Sequence, residues 1–277
     1  MILDEIVAST RKRIGLAKEN ISCEALRREA LASTRKPVDF REALARPGMS
    51  FICEVKKASP SKGLIAKSFP YREIALEYEK AGAAAISVLT EPEYFQGSNT
   101  YLTEIKQEVS IPVLRKDFTI DAYQIYEAKV IGADAILLIC ALLDTETLRK
   151  FIEIADELGL SALVEAHNEA EIESALAAGA TVIGVNNRDL KTFEVDISLC
   201  TRLRELVPPE VIFVAESGIK TPEDIEVLCD AGVDAVLVGE TLMRSADKKT
   251  MLDALRGNTE GCDKVNSING RLSGDSI

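Results

Sequence analysis

The chain has 277 residues, with 33 Lys and Arg against 45 Asp and Glu, a formal charge of −12, and 47% of its residues are hydrophobic. That apolar content excludes a disordered chain, and the acidic balance argues against a nucleic-acid binder, which shows a net basic footprint. Aromatic residues make up 5% and tryptophan is absent, so base-stacking platforms are also unexpected.

No apolar stretch approaches the ~20 residues of a membrane span. The opening Met-Ile-Leu-Asp-Glu lacks the basic region and apolar run of a signal peptide. Six cysteines are scattered without C-x-x-C spacing, several of them inside apolar runs, which suits small buried thiols better than a metal or redox role. The one histidine, His167, excludes a His-rich zinc site and allows a Ser-His-Asp triad only through itself. These features predict a cytoplasmic protein without metal, membrane or nucleic-acid partners.

In chain order, residues 1–48 read as a helical N-terminal extension: Leu3, Ile6, Val7 and Ile14 have helical spacing, followed by helical stretches near Ala25–Leu31 and Phe40–Ala45. Over 49–256, eight apolar runs start about every 26 residues: Phe51–Val55, Ala85–Leu89, Pro112–Leu114, Ala135–Ile139, Ala162–Glu165, Val182–Val185, Val211–Ala215 and Ala235–Val238. They lack polar alternation, as parallel strands covered on both faces do. Helix-start signals lie between them, clearest at Thr221-Pro222-Glu223-Asp224 and Asp144-Thr145-Glu146. A Gly-centred repeat at Gly82, Gly132, Gly179 and Gly232, spaced 50, 47 and 53 residues apart, precedes every second strand. It suits a left-handed residue ending a helix. Eight βα units with right-handed crossovers predict a (β/α)8 TIM barrel catalytic domain, with a doubly wound open sheet as the alternative. The polar tail 257–277 is too poor in apolar residues to order itself and is expected to be disordered.

In a barrel the reacting groups come from the carboxyl ends of the strands. There the sequence sets Glu54 and Lys56 with Ser59-Pro60-Ser61-Lys62-Gly63, then Arg115-Lys116-Asp117-Phe118, Glu165 with His167, Asn186-Asn187-Arg188-Asp189, Glu216-Ser217-Gly218 and Gly239-Glu240. Glu54 and Lys56, two apart, share a strand face, and the same logic takes Lys116 and Glu165 to the mouth. Isolated charges at strand ends are usually just solvated, but four odd strands each ending in an ionisable group favour one pocket. Glycines after the seventh and eighth strands suit a phosphate held by backbone N–H groups, and Lys56, Lys116 and Arg188 supply local cations. His167 reads as structural or peripheral, without a partner that would make it a base.

At these residues the chain resembles the indole-3-glycerol-phosphate synthase family. The resemblance rests on E-x-K-x-x-S-P-S-x-G from Glu54, then Lys116-Asp117-Phe118, Leu163-Val164-Glu165-Ala166-His167, Asn186-Asn187-Arg188-Asp189-Leu190, Glu216-Ser217-Gly218 and Gly239-Glu240. It implies ring closure, decarboxylation and dehydration of 1-(2-carboxyphenylamino)-1-deoxyribulose 5-phosphate to indole-3-glycerol phosphate, without a cofactor. It also implies the roles. Lys116 protonates the C2′ carbonyl, Glu165 stabilises the cationic intermediate and helps remove a proton, and Lys56, paired with Glu54, assists dehydration. Asn186 and Glu216 orient substrate hydroxyls, and Arg188 holds the carboxylate-bearing side or the pocket wall. Ser59, Ser217, Gly218, Gly239 and Glu240 bind phosphate, while Phe118 and Leu190 pack on the anthranilate ring. Contact with other tryptophan-pathway enzymes is a further implication. Two other readings compete: a Schiff-base aldolase using Lys56 or Lys116, and a non-catalytic barrel subunit, although the latter has no reason to keep Glu54, Lys56, Lys116 and Glu165 together.

Overall fold

The computed structural model describes residues 2–189 and 192–257. Leu190 and the expected tail beyond Gly257 lie outside the described residues. The chain opens with α1 (Ile2–Asn20), α2 (Cys23–Ala32) and the short α3 (Phe40–Leu44). Eight parallel strands then close into a barrel: β1 (Ser50–Val55), β2 (Ala85–Leu89), β3 (Val113–Lys116), β4 (Ala135–Ile139), β5 (Ser161–Ala166), β6 (Val182–Asn186), β7 (Ile212–Glu216) and β8 (Ala235–Val238), with β8 pairing back onto β1. Closure excludes the open sheet. Helices alternate with the strands as α4 (Tyr71–Lys80), α5 (Asn99–Glu108), α6 (Ala122–Ile131), α7 (Thr145–Glu157), α8 (Glu169–Ala177), α9 (Ser198–Arg204) and α10 (Pro222–Asp230), and α11 (Glu240–Arg244) and α12 (Lys248–Arg256) finish the chain. Among the described residues no helix is long and apolar enough to cross a membrane.

The strands read as unbroken apolar runs because alternate residues feed two cores. Inward-facing Ile52, Leu114, Leu137, Leu163, Val182, Val214 and Leu237 fill the barrel, and Phe40 and Leu44 of α3 join them as a plug. Outward-facing Phe51, Val88, Leu138, Val164, Ile183, Phe213 and Val236 pack under the helices. Each fully buried large apolar side chain contributes about 1.5–3 kcal/mol, so neither face tolerates a polar slip. The repeated glycines have the expected left-handed backbone, with φ of 86°, 98°, 91° and 76° at Gly82, Gly132, Gly179 and Gly232. Helix starts also match: Thr221 and Asp224 form a reciprocal capping box, and Asp144 accepts from Thr147 N–H.

Four strands, β3, β5, β6 and β7, run one or two residues further at their carboxyl ends than the apolar pattern suggests. β3, β6 and β7 include Lys116, Asn186 and Glu216, whose register partners are Leu89 for Lys116 and each other for the last two. The alternation therefore continues into the polar mouth, turning Glu54, Lys116, Glu165, Asn186 and Glu216 inward. On the opposite face of β3, buried Arg115 meets Asp117 at 3.3 Å, and Arg13 of α1 grips the same carboxylate at 2.9 and 2.7 Å. Burial alone would raise the Asp117 pKa, but Arg115 and Arg13 hold it below the ordinary carboxylate range. This network brackets Lys116 and ties α1 to the strand that carries it.

Candidate active site

The carboxyl ends of the strands surround a cavity of about 600 Å³, a size suited to a small organic ligand. Its charged floor contains two lysines in separate carboxylate settings. Lys116 Nζ lies 3.1 Å from Glu165 Oε2 and 3.2 Å from Glu216 Oε2. Lys56 Nζ lies 2.5 Å from Glu54 Oε1, and Ser87 Oγ donates to Glu54 Oε2 at 3.4 Å. Asn186 Nδ2 donates to Glu165 Oε1 at 3.3 Å while its Oδ1 accepts from Arg188 N–H at 3.1 Å.

Burial would push the Lys116 ammonium toward neutrality, but Glu165, Glu216 and Glu54 outweigh it and raise its pKa above the usual lysine range. The two carboxylates beside it diverge. Glu165 falls below the ordinary range because Lys116 and His167 overcome the cost of burial. Glu216 is pushed up to about 7, mainly by burial and then by the neighbouring Glu165 and Glu54 charges, against the pull of Lys116. One carboxylate therefore stays ionised while the other exchanges its proton near neutrality, the divergence expected of an acid–base pair. Glu216 Oε1 is buried without a hydrogen-bond partner among the described residues.

Ile2, Leu3 and Ile6 of α1 line the walls, as do Phe95 and Phe118, whose rings are 6.0 Å apart. Phe95 is held by buried Glu91, whose carboxylate accepts N–H bonds from Glu93, Tyr94 and Phe95 at 3.0, 2.7 and 3.0 Å. Ser59, Lys62, Ser217, Gly218, Lys220, Gly239, Glu240 and Arg244 line the walls too. Arg188 Nη1 donates to Phe193 O at 3.1 Å.

The family described as indole-3-glycerol phosphate synthase matches residues 3–255. A protein of that name from Ruminiclostridium cellulolyticum is 60% identical over 258 residues, covering 93% of this chain and 99% of the relative. The chain belongs to the indole-3-glycerol phosphate synthase family. Another member, from Endomicrobium trichonymphae, is also 60% identical, over 92% of this chain and 100% of the relative. Among solved structures, 3-hexulose-6-phosphate synthase from Salmonella typhimurium superposes with a TM-score of 0.62 at 16% identity, over 75% of this chain and 97% of that one. That likeness shows the fold alone.

Within this synthase-family barrel, the six residues read as catalytic, Glu54, Lys56, Lys116, Glu165, Asn186 and Glu216, all line one cavity. Ser59, Phe118, Arg188, Ser217, Gly218, Gly239 and Glu240 line it too, whereas Leu190 lies outside the described residues. His167 has two carboxylate partners: its Nε2 sits 3.3 Å from Glu165 Oε1 and its Nδ1 3.1 Å from Glu171 Oε2. Reading the strand alone missed Glu171, which reaches back from the first turn of α8. Lys56 and Lys116 are held by carboxylates, and three further cations line the cavity: Lys62 and Arg244, both facing Glu240, and Lys220.

Gly184 was missed altogether. A Cβ there would come within 2.4 Å of Glu216 Oε1 and 3.1 Å of Leu163 Cδ1, so this glycine makes room for the carboxylate. A glycine inside a strand is itself a sign of close approach. Gly239 has a comparable duty, since its Cβ would meet Glu54 Oε1 at 2.5 Å and Lys56 Nζ at 3.1 Å. The N-terminal wall of Ile2, Leu3 and Ile6 left no local signal, because their helical periodicity does not say what the helix covers.

Proposed function

We propose that Lys116 is the general acid of ring closure, protonating the substrate's C2′ carbonyl oxygen as the anilinic carbon attacks. As a member of its family the chain is a carboxy-lyase of tryptophan biosynthesis, converting 1-(2-carboxyphenylamino)-1-deoxyribulose 5-phosphate to indole-3-glycerol phosphate, CO2 and water. The observation that carries the Lys116 assignment is its ammonium, held between Glu165 and Glu216 at 3.1 and 3.2 Å on the cavity floor. A donor so placed stays protonated at neutral pH until a reacting oxygen develops negative charge beside it.

Glu165, ionised next to that ammonium, stabilises the cationic intermediate left by ring closure and assists proton removal after CO2 departs. Lys56, backed by Glu54, donates to the hydroxyl that leaves as water. Asn186 and Glu216 orient substrate hydroxyls, for which the unpartnered Glu216 Oε1 is suited. Phe118, with Leu190, packs on the anthranilate ring, and Arg188 faces its carboxylate. The phosphate binds Ser59, Ser217 and the backbone N–H groups of Gly218, Gly239 and Glu240. Glu240 serves through its backbone, since its carboxylate faces Arg244 at 3.0 Å and Lys62 at 3.9 Å. The same reading takes 1–48 as an extension of the 49–256 catalytic barrel, and puts the protein in the cytoplasm in contact with other enzymes of the pathway.

The direct test supplies the carboxyphenylamino-deoxyribulose phosphate and follows indole absorbance and fluorescence. Product from the wild-type chain together with its loss in Lys116→Ala supports the assignment; equal rates sink it. The aldolase reading meets the same lysine differently, since imine formation needs a neutral amine. Carboxylates that raise the Lys116 pKa disable it as a nucleophile. Borohydride added during turnover is therefore expected to leave activity and intact mass unchanged. An adduct of substrate mass on Lys56 or Lys116 would establish the imine instead.

A further inference from the structure

The two oxygens of Glu165 keep different company. Oε2 faces Lys116 Nζ at 3.1 Å, whereas Oε1 lies 3.3 Å from Asn186 Nδ2 and 3.3 Å from His167 Nε2. The His167 approach is a charge contact rather than an aligned hydrogen bond, because Nε2 finds no hydrogen-bond partner among the described residues. The imidazole is fixed from behind. Glu171 Oε2 accepts the His167 backbone N–H at 2.8 Å and lies 3.1 Å from Nδ1. Glu171 is itself immobilised at the start of α8, where Asn168 Oδ1 accepts from Glu171 N–H at 3.0 Å and Asn168 Nδ2 donates to Glu171 Oε1 at 2.9 Å. An imidazole between two anchored carboxylates has a fixed ring plane and a reason to carry charge.

We propose that His167 is a positioning residue for the synthase reaction: clamped by Glu171, its imidazolium holds Glu165 Oε1 so that Oε2 is presented to Lys116, and keeps that carboxylate ionised. The inference rests on the reading of Glu165 as a reacting carboxylate and names what orients it. Side chains at His167 and Glu171 do not line the cavity, so both act through Glu165 rather than on substrate.

The surrounding charges agree. Burial would lower the His167 pKa, but Glu165 and Glu171 carry it up to about 10, so the ring is cationic at neutral pH. Beyond Glu165 stand Lys116 of β3 and, through Lys116, Glu216 of β7. Cys140, following β4, approaches Glu171 through its Sγ, 3.5 Å from the Glu171 carbonyl oxygen. Burial pushes that thiol up to about 12, so it contributes no charge. His167 is thus the second cation on Glu165 after Lys116.

The test compares His167→Asn and Glu171→Gln with wild type, reading kcat and KM across pH together with the thermal midpoint. An opposite charge within ~4–6 Å lowers a carboxyl pKa by about 1–3 units, so losing one of two cations moves the acidic limb that belongs to Glu165, which lies below the separate step of Glu216, to higher pH by about one unit. His167→Asn is expected to show that shift, with kcat at neutral pH down roughly 10-fold and KM little changed. Glu171→Gln, which leaves the imidazole in place but weakens its charge, is expected to move the limb the same way by less. It also keeps the proposal testable if His167→Asn fails to fold. A lower thermal midpoint with the acidic limb unmoved in both variants overturns the proposal and leaves His167 as packing. Glu165→Gln separates the two readings: wild-type kcat there removes Glu165 from the mechanism, whereas a large loss there with an unmoved limb in the His167 and Glu171 variants overturns the positioning role alone.

Discussion

Replacing Lys116 by alanine is expected to lower kcat by about 10²–10⁴-fold, the usual worth of a positioned general acid. The loss should fall on kcat rather than KM, because the ammonium is held by Glu165 and Glu216 and is not one of the groups assigned to phosphate. Truncation also leaves those carboxylates facing one another without the cation between them. Glu216, already pushed up to about 7, should then hold its proton to still higher pH. Steady-state kinetics across pH would show both effects. A wild-type kcat in this variant would remove Lys116 from the chemistry.

The second large effect is expected from one methyl group. Gly184→Ala places a Cβ within 2.4 Å of Glu216 Oε1 and 3.1 Å of Leu163 Cδ1, so the carboxylate has to leave its place beside Lys116. The displacement required is close to an ångström, and misplacement on that scale costs on the order of 10²-fold in rate. If the methyl acts through the carboxylate, Gly184→Ala and Glu216→Gln should be strongly non-additive, the double variant being about as slow as the worse single one. Additive losses would show that Gly184 matters for another reason. Gly179→Ala is a control for backbone strain: its φ is 91° but nothing lies within 4 Å of its added Cβ.

The barrel was legible because eight unbroken apolar runs recurring about every 26 residues, with a glycine-ended helix before every second one, admit few other closed solutions. Glu54 with Lys56, and the charged ends at Lys116, Glu165 and Glu216, were legible because side chains two apart on a strand share a face. Strand ends were read short at β3, β6 and β7, because the apolar pattern stops where the inward face turns polar while the backbone pairing continues. The partners of His167 were not legible: Glu171 meets it only because α8 starts immediately beyond β5 and folds back over the strand end. Gly184 was hidden for a different reason. A glycine inside a strand signals a close approach, but its own strand does not say that the approaching group is Glu216 of β7.

The plug formed by Phe40 and Leu44, with the inward layer above it, makes the reaction chamber a blind one. Substrate arrives, and indole-3-glycerol phosphate, carbon dioxide and water depart, past the same rim of loops. Nothing can be expelled through the floor as the next molecule enters from above. Turnover is therefore strictly sequential in traffic, with the spent product occupying the berth its successor needs. Accumulating indole-3-glycerol phosphate is therefore expected to compete with substrate for the empty enzyme.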